Sequence, residues 1–333
     1  MHGRRGRPSG PRWRRGARAP RGRRSQQWFA ALLSLGVLAA LGAALLRLVA
    51  SGGTRWSFAA LSVTPHALAG AGVVLLAALG ARRWAHVAAA AAAVVVLGAV
   101  VAPRALPDPQ PAPAGGSLVV AGANLYYGRA DPHAVVDLVR AHDVDVLSLQ
   151  ELTPQAVDAL DAAGLADLLP HRVFQPDDRA AGTGLASRHP LRDRPSNPDS
   201  YHFQPVARVD RPGAGIEVVA VHVVAPVGRI DPAEWRAELA ALPQPGPGQV
   251  LVGDFNATLD HRPLRRLLDT GYRDAAASVG AGLRATWPTD TPLPPVAAID
   301  HVLVGPGCTV RSFDVVALPG SDHRAVVAAL ALP

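Results

Sequence analysis

Apolar positions fall into two regimes along the chain. Between residues 28 and 102 they run almost unbroken in three stretches, 28–50, 56–79 and 84–102. Each is close to the roughly 20 residues that a helix needs to cross about 30 Å of hydrocarbon. The first is interrupted only by Arg47, and the third contains the alanine run 88–93. Trp28, Trp56 and Trp84 stand where the stretches begin, the usual place of interfacial aromatics. His66 and His86 lie inside spans that hold no acidic residue, so they read as tolerated or interfacial side chains rather than a polar pathway.

Beyond residue 116 the apolar runs shorten and change period. Residues 117–123 (SLVVAGA), 145–149 (DVLSL), 184–187, 216–223 (IEVVAVHV) and 249–252 read as strands, as do 299–304, 309–315 and 324–332. Helical spacing marks 132–141, 154–163 and 262–268. Asp231-Pro232-Ala233-Glu234 supplies an N-cap, a proline in the first turn and a capping glutamate, so a helix is expected to run to about Leu242. Alternating strands and helices with late hairpin-like strands predict packed sheets flanked by helices. Between the regimes, residues 103–116 (PRALPDPQPAPAGG) read as a semi-extended, non-helical spacer.

Charge divides at the same place. Residues 1–103 hold 14 Arg and no acidic residue, whereas 104–333 hold 19 Arg and 26 Asp plus Glu, so the net +7 splits into +14 and −7. The basic pI therefore says nothing about nucleic-acid binding by the C-terminal part. The positive-inside rule places the Arg-rich segment 1–26 and the Arg82–Arg83 turn in the cytoplasm and the 51–55 loop outside. Three spans over 27–102 then make a multi-pass protein of the cell membrane with everything after Ala102 extracytoplasmic. A cleaved signal peptide is the alternative for the first stretch, but its apolar core exceeds the usual length and two more spans follow. The single cysteine, Cys308, excludes a disulfide framework and is expected to be a buried strand residue. Lysine is absent, which excludes P-loop, Schiff-base and pyridoxal-phosphate chemistry.

The apolar strands of segment 117–333 end repeatedly in carboxylates, amides and histidines. Asn124 follows the first strand and Glu151 the second, His222 lies near the end of another, and Asp254 and Asn256 follow VLVG. Asp300 and His301 open HVLV, and Asp322 and His323 precede RAVVAAL. One such residue alone reads as a turn former or cap. Six strand ends together read as one edge of a sheet made into a site. Carboxylates and amides without thiols suit a hard divalent cation such as Mg²⁺, and nearby histidines suit acid–base work on a phosphate. No metalloprotease, nucleophile-elbow or dinucleotide motif competes, and the adjacent Ser321-Asp322-His323 cannot align as a triad.

ANLYYGRADPHAVVDLVRAHDVDVLSLQELT, GTGLASRHPL, VVAVHVVAP, VGDFNAT, AIDHVLV and SDHRAVVAAL occur in that order across 117–333. Together they resemble the endonuclease/exonuclease/phosphatase superfamily, which includes DNase I-like nucleases, inositol polyphosphate phosphatases and neutral sphingomyelinases. The resemblance implies a four-layer α/β sandwich, two mixed sheets flanked by helices, preceded here by three transmembrane helices. It implies a Mg²⁺-dependent (or Mn²⁺-dependent) phosphoester hydrolase, most simply a phosphodiesterase, acting on nucleic acid, a lipid headgroup or a small phosphoester. By motif, Glu151 would be the principal metal ligand, with Asn124 and Asp322 in or near the metal shell. Asp254 would orient or deprotonate the attacking water and Asn256 would hold it. His323, oriented by Asp300, would contact the scissile phosphate, and His222 would act as acid or transition-state donor on its other side.

Tyr126 stands where some members carry an acidic residue, which puts a second metal position in doubt. Segment 188–215 is short and poor in the basic and aromatic residues of a nucleic-acid groove. Of RATWP, which resembles a further family segment, Trp287 either floors the site or is a core aromatic. Arg188, Arg284 and Thr286 are weaker candidates. Strand alternation turns His301 away from Asp300's face. His133, His142, His171 and His261 read as surface or capping residues. A membrane-tethered binding domain that has lost activity is the alternative function, although no residue of the matched set is missing.

Overall fold

The computed structural model describes residues 21–50, 52–110, 112, 115–211 and 215–333. The first twenty residues of the Arg-rich segment, Ser51 in the short loop, and 111, 113 and 114 of the expected spacer lie outside the described residues.

Four helices come first: α1 (Arg21–Val49), α2 (Arg55–Ser62), α3 (Thr64–Gly80) and α4 (Trp84–Val101). Ser25–Val49 and Trp84–Ala105 are each long and apolar enough to cross a membrane, and α2 with α3 makes a third candidate bent by 67°. The continuous span expected over 56–79 is thus two helices. Val63 leaves helical geometry at φ −110° and ψ 22°, and Pro65 follows in the first turn of α3. Pro65, two residues on, has no N–H to continue the ladder from α2. Ala40, Ala44, Ala71, Ala93 and Leu97 form a shared core, where small side chains let the helices approach closely. His86 Nε2 lies 3.0 Å from Ser34 Oγ across this bundle.

The remaining chain adds β1 (Ser117–Asn124), α5 (Pro132–Ala141), β2 (Val146–Gln150), α6 (Pro154–Ala162), α7 (Leu165–Leu168), β3 (His171–Gln175), β4 (Thr183–Ser187), β5 (Leu191–Arg194) and β6 (Val206–Val209). Then come β7 (Ile216–His222), α8 (Pro232–Ala241), β8 (Gln249–Asp254), α9 (Arg262–Asp269), β9 (Arg273–Asp274), α10 (Ala275–Ser278), β10 (Asp300–Val304), β11 (Thr309–Val316) and β12 (Ala325–Ala331). Two six-stranded sheets result, in the orders β11-β12-β1-β2-β4-β3 and β5-β6-β7-β8-β10-β9. Among the described residues only β1–β2 and β7–β8 are parallel, so both sheets are mixed.

Strand alternation builds the layers. Leu118 and Val120 of β1, Val218 and Ala220 of β7, Val250 and Val252 of β8, and Val302 and Val304 of β10 meet in the core between the sheets. Their neighbours face outward. Ala121, Leu147 and Leu149 pack under α5–α7, and Val219, Val221, Leu251 and Leu303 pack under α8 and α9. The four-layer α/β sandwich is therefore the observed fold. The short edge strands β3, β5 and β9, and the four-residue β6 beside β5, were not visible in the apolar pattern because they are half-buried or polar.

The expected spacer differs at its start. Ala102–Ala105 forms a 3-10 turn, and Asp108 N donates to Ser278 O while Gln110 Nε2 and Oε1 pair with the backbone of Val310. Arg104 reaches the wholly buried Asp260 through Nη1 and Nη2 at 2.7 and 2.6 Å, and Arg47 Nε, in the last turn of α1, reaches the same carboxylate at 2.6 Å. Burial alone would raise the Asp260 carboxyl; the two guanidinium groups outweigh it and hold it below the usual carboxylate range. This buried triad fastens the helical part to the sandwich. Asp260→Ala should lower stability by about 3–5 kcal/mol, since two buried cations lose their partner. Thermal melts in detergent read this, and replacing all three residues with apolar ones should restore most of the loss.

Candidate active site

The site lies where the ends of β1, β2, β7, β8, β10 and the turn before β12 converge. Close approach of the sheets brings them together. Gly253, one residue before Asp254, has φ +143°, and a Cβ there would sit 2.1 Å from Val221 O and 2.6 Å from Gln150 Nε2. Only glycine meets both demands. Ser148 Oγ donates to Val252 O across the same gap at 2.9 Å.

Asp254 occupies the centre and is buried. Its Oδ1 accepts from Asn256 N at 2.8 Å, and its Oδ2 accepts from Asn124 Nδ2 and Asn256 Nδ2, both at 3.2 Å. Asn124 also donates to Glu151 Oε1 at 3.4 Å, so one amide bridges two carboxylates, while its Oδ1 accepts from Tyr126 N at 2.9 Å. Glu151 Oε2 accepts from Tyr127 N at 2.7 Å. His323 Nδ1 faces Asp300 Oδ2 at 2.9 Å, leaving Nε2 at 3.8 Å from Asp254 Oδ2 and 3.9 Å from Asp322 Oδ1. His222 Nε2 lies 4.0 Å from Asp254 Oδ2 on the other side.

A cavity of about 430 Å³ opens onto Glu151, His222, Asp254, Asn256, Asp322 and His323. Asn124 lies beneath it and Asp300 behind His323, so all eight candidates come together. Thr286 supports the pair from behind: its Oγ1 accepts from Asp300 N at 3.3 Å. Trp287 is 38% exposed, lines the cavity, and donates from Nε1 to Asp322 Oδ2 at 3.2 Å, so it is a site wall rather than core. Arg188 pairs with Asp143 and Asp145, and Arg284 with Asp314, elsewhere. His301 does turn away, to Asp274 Oδ2 and Ala257 O, both at 2.8 Å. His261 is the N-cap residue of α9 but buried, not on the surface.

Electrostatics divides these groups by task. Burial pushes the Asp254 carboxyl up to about 7, with His323 opposing and Asp300 adding. Burial pulls the His323 imidazole down, but Asp300 and then Asp254 outweigh it and hold it up at about 10. Burial, then the neighbouring His202 and His323, drive His222 well below the ordinary imidazole value. Burial likewise raises Glu151, against the Tyr127 N–H and Asn124. At neutral pH His323 is thus a cation and His222 is neutral.

The donor set fits a hard cation. Glu151, Asp254, Asp300 and Asp322 meet one protonated imidazole, and Asp322 Oδ1 is buried without a hydrogen-bond partner. Asp254, Asp300 and His323 also offer ligand atoms within 4.8 Å of one another. There the Asp300–His323 bond already occupies Nδ1, whereas Glu151 and Asp322 retain oxygen lone pairs for a cation.

Sequence reasoning missed His202. Its ring centroid lies 4.0 Å from that of His222, it lines the cavity, and burial lowers its pKa. It sits on an irregular loop before β6, where no periodicity announces a side chain's direction. Four non-glycine residues here, Tyr126, Tyr127, Glu151 and Asn256, have φ of 48°, 54°, 54° and 45°. Such left-handed conformations cost energy and cluster where side-chain placement matters more than backbone comfort.

The Endonuclease/Exonuclease/phosphatase family model matches residues 121–323. No curated protein matches the chain. Among solved structures, D. rerio TDP2 complexed with single-strand DNA product is 18% identical, with 65% of this chain and 99% of that one covered and a TM-score of 0.50. Truncated Caenorhabditis elegans TDP2 is 18% identical, with 64% and 97% covered and a TM-score of 0.50. An endonuclease/exonuclease/phosphatase from Beutenbergia cavernae is 20% identical, with 65% and 72% covered and a TM-score of 0.47. At these identities the likeness to the TDP2 structures is one of fold.

Because Asp300 raises the His323 pKa, that pair contributes stability in full below about pH 6.5, lost as pH rises through about 10. In Asp300→Asn the His323 ring should titrate nearer the ordinary imidazole value of about 6.5. Ring resonances followed by NMR against pH check this; a midpoint left near 10 contradicts the assignment.

Proposed function

The chain belongs to the endonuclease/exonuclease/phosphatase family, whose members are phosphoester hydrolases, and from that we propose that it is a divalent-metal-dependent phosphodiester hydrolase anchored in the membrane. The single observation that carries the reading is the convergence of Glu151, Asp254, Asp322 and His323 on one cavity, with Asp300 holding His323 charged. Glu151 and Asp322, with Asn124 fixing Glu151, are the residues that would hold Mg²⁺ or Mn²⁺. Such a cation, when bound, supplies Lewis-acid polarisation of a phosphoryl oxygen and charge neutralisation.

The chain's own residues carry the rest. Asp254, its carboxyl poised near 7, accepts the proton of an attacking water that Asn256 helps to hold. His323 stays protonated and faces the negative charge that grows on phosphorus oxygens. His222, kept neutral, donates a hydrogen bond to the phosphate from the opposite side rather than acting as a standing acid. The −7 net charge of residues 104–333 disfavours a tight nucleic-acid groove.

Helix placement supports an extracytoplasmic site. Arg82 and Arg83 lie at the ends of α3 and α4 that are far from the sandwich in sequence and bundle order, while Arg47 and Arg104, at the near ends, are consumed by Asp260. The Arg82–Arg83 pair therefore sits opposite the catalytic side, as the positive-inside rule requires for a cytoplasmic N-terminus.

Hydrolysis of bis(4-nitrophenyl) phosphate by the full chain in detergent tests the reading. Mg²⁺ should support it and EDTA abolish it. Asp254→Asn and His323→Ala should each lower turnover on the order of 10²-fold or more while melting cooperatively. Near-normal turnover in both variants would overturn the site assignment.

A further inference from the structure

We propose that α2 forms one wall of the substrate site and that the ligand admitted there is an amphiphilic phosphoester taken from the bilayer surface; this rests on the hydrolase reading above. The cavity has two chemistries. Its floor is the carboxylate and imidazole cluster, and its side is apolar: Phe58, Val224, Val227, Ile230 and Ile299. Phe58 and Ser62 come from α2, a helix outside the sandwich.

Helix α2 is held there firmly. The Phe58 ring stacks on His261 with centroids 4.8 Å apart and meets Trp235 edge-on at 5.2 Å. His261 Nδ1 accepts from Thr258 N at 2.8 Å, so Nε2 carries the proton and donates to Phe58 O at 3.0 Å. Arg55 Nη2 donates to Ile230 O at 3.0 Å, tying α2 to the 224–230 loop. Trp235 Nε1 in turn donates to Asn256 O at 3.0 Å, so the wall also braces a site residue.

With α1 and α4 as spans, the same helix falls at the level of the span ends nearest the sandwich. It follows the end of α1 and precedes α3, from which it bends by 67°, and Arg47 in the last turn of α1 and Arg104 just after α4 both pair with Asp260. From Trp28 to Arg47, α1 rises about 28 Å, close to the hydrocarbon thickness. Trp56 on α2 is 87% exposed and Val227 on the facing loop 57%. Val227 left bare at the cavity, with the exposed Trp56 on the same helix as Phe58, suits a ligand whose polar head enters the floor while its apolar part stays along Phe58 and Val227. A wholly water-soluble ester gains nothing from that wall. In the reaction water adds to phosphorus, one ester P–O bond breaks, and the water proton passes by way of Asp254 to the leaving alkoxide.

The test uses the full chain in phosphatidylcholine vesicles doped with a phosphodiester lipid whose acyl chain carries a diazirine. Photolabelling should reach residues 224–230 and α2. Label confined to α1, α3 and α4 would overturn the proposal. In parallel, hydrolysis of the same headgroup diester is compared on the bilayer lipid and in a tail-less soluble form. The lipid should have the higher kcat/KM, by about tenfold or more, and Phe58→Ser or the exposed Val227→Ser should shrink that ratio by about tenfold. Equal rates on both forms, with a ratio the variants leave unmoved, would overturn the lipid proposal and leave the hydrolase standing. Labelling of 224–230 with neither diester hydrolysed would overturn the hydrolase reading and keep the lipid site.

Discussion

Everything at the site follows from one electrostatic constraint: Asp254 and Asp300 are both nearly sealed from water at the edge of two packed sheets, and His323 is the protonated group facing both. A buried carboxylate is tolerated only when paired and hydrogen-bonded. Asp300 meets that demand by holding His323 charged, and Asp254 meets it through Asn124, Asn256 and a carboxyl raised to about 7. Glu151 and Asp322 then add negative charge that the protein does not neutralise. On the proposed function the cluster is short of positive charge, and a phosphate enters it together with a cation. Metal dependence and phosphoester chemistry would then share one physical origin.

The two-sheet core makes this possible. Valines at alternate positions of β1, β7, β8 and β10 fill the space between the sheets, and at one end that filling stops. Gly253 and Gly122 let the sheets approach there, and each strand then ends in a polar residue, Asp254 directly after Gly253 and Asn124 two residues after Gly122. This part was legible in the sequence, because period-2 alternation and the polar residue closing each run are local signals. Asn124, Glu151, Asp254, Asp300 and His323 could be named from them. His301, one residue from Asp300, was rightly set on the opposite face by the same alternation.

What stayed illegible depends on distant partners or irregular backbone. Arg47 looked like a flaw in a span until Asp260, 213 residues away, supplied its partner. His202 has no strand to orient it. The break at Val63 was written in Thr64-Pro65, yet hydropathy passed over it because an interfacial helix can be as apolar as a span. The consequence reaches the cavity: α2 turns out of the bundle, carries Phe58 to its wall, and packs the helical segment against the sandwich rather than leaving a domain on a tether.

The central claim, that a charge deficit at the strand ends demands a divalent cation, is tested most directly without substrate. Mn²⁺ titrated into the full chain and followed by electron paramagnetic resonance should show a saturable protein-bound site, and Glu151→Gln should weaken or abolish it. A folded wild-type chain that binds no Mn²⁺, or a Glu151→Gln chain that binds it as tightly as wild type, would contradict the account.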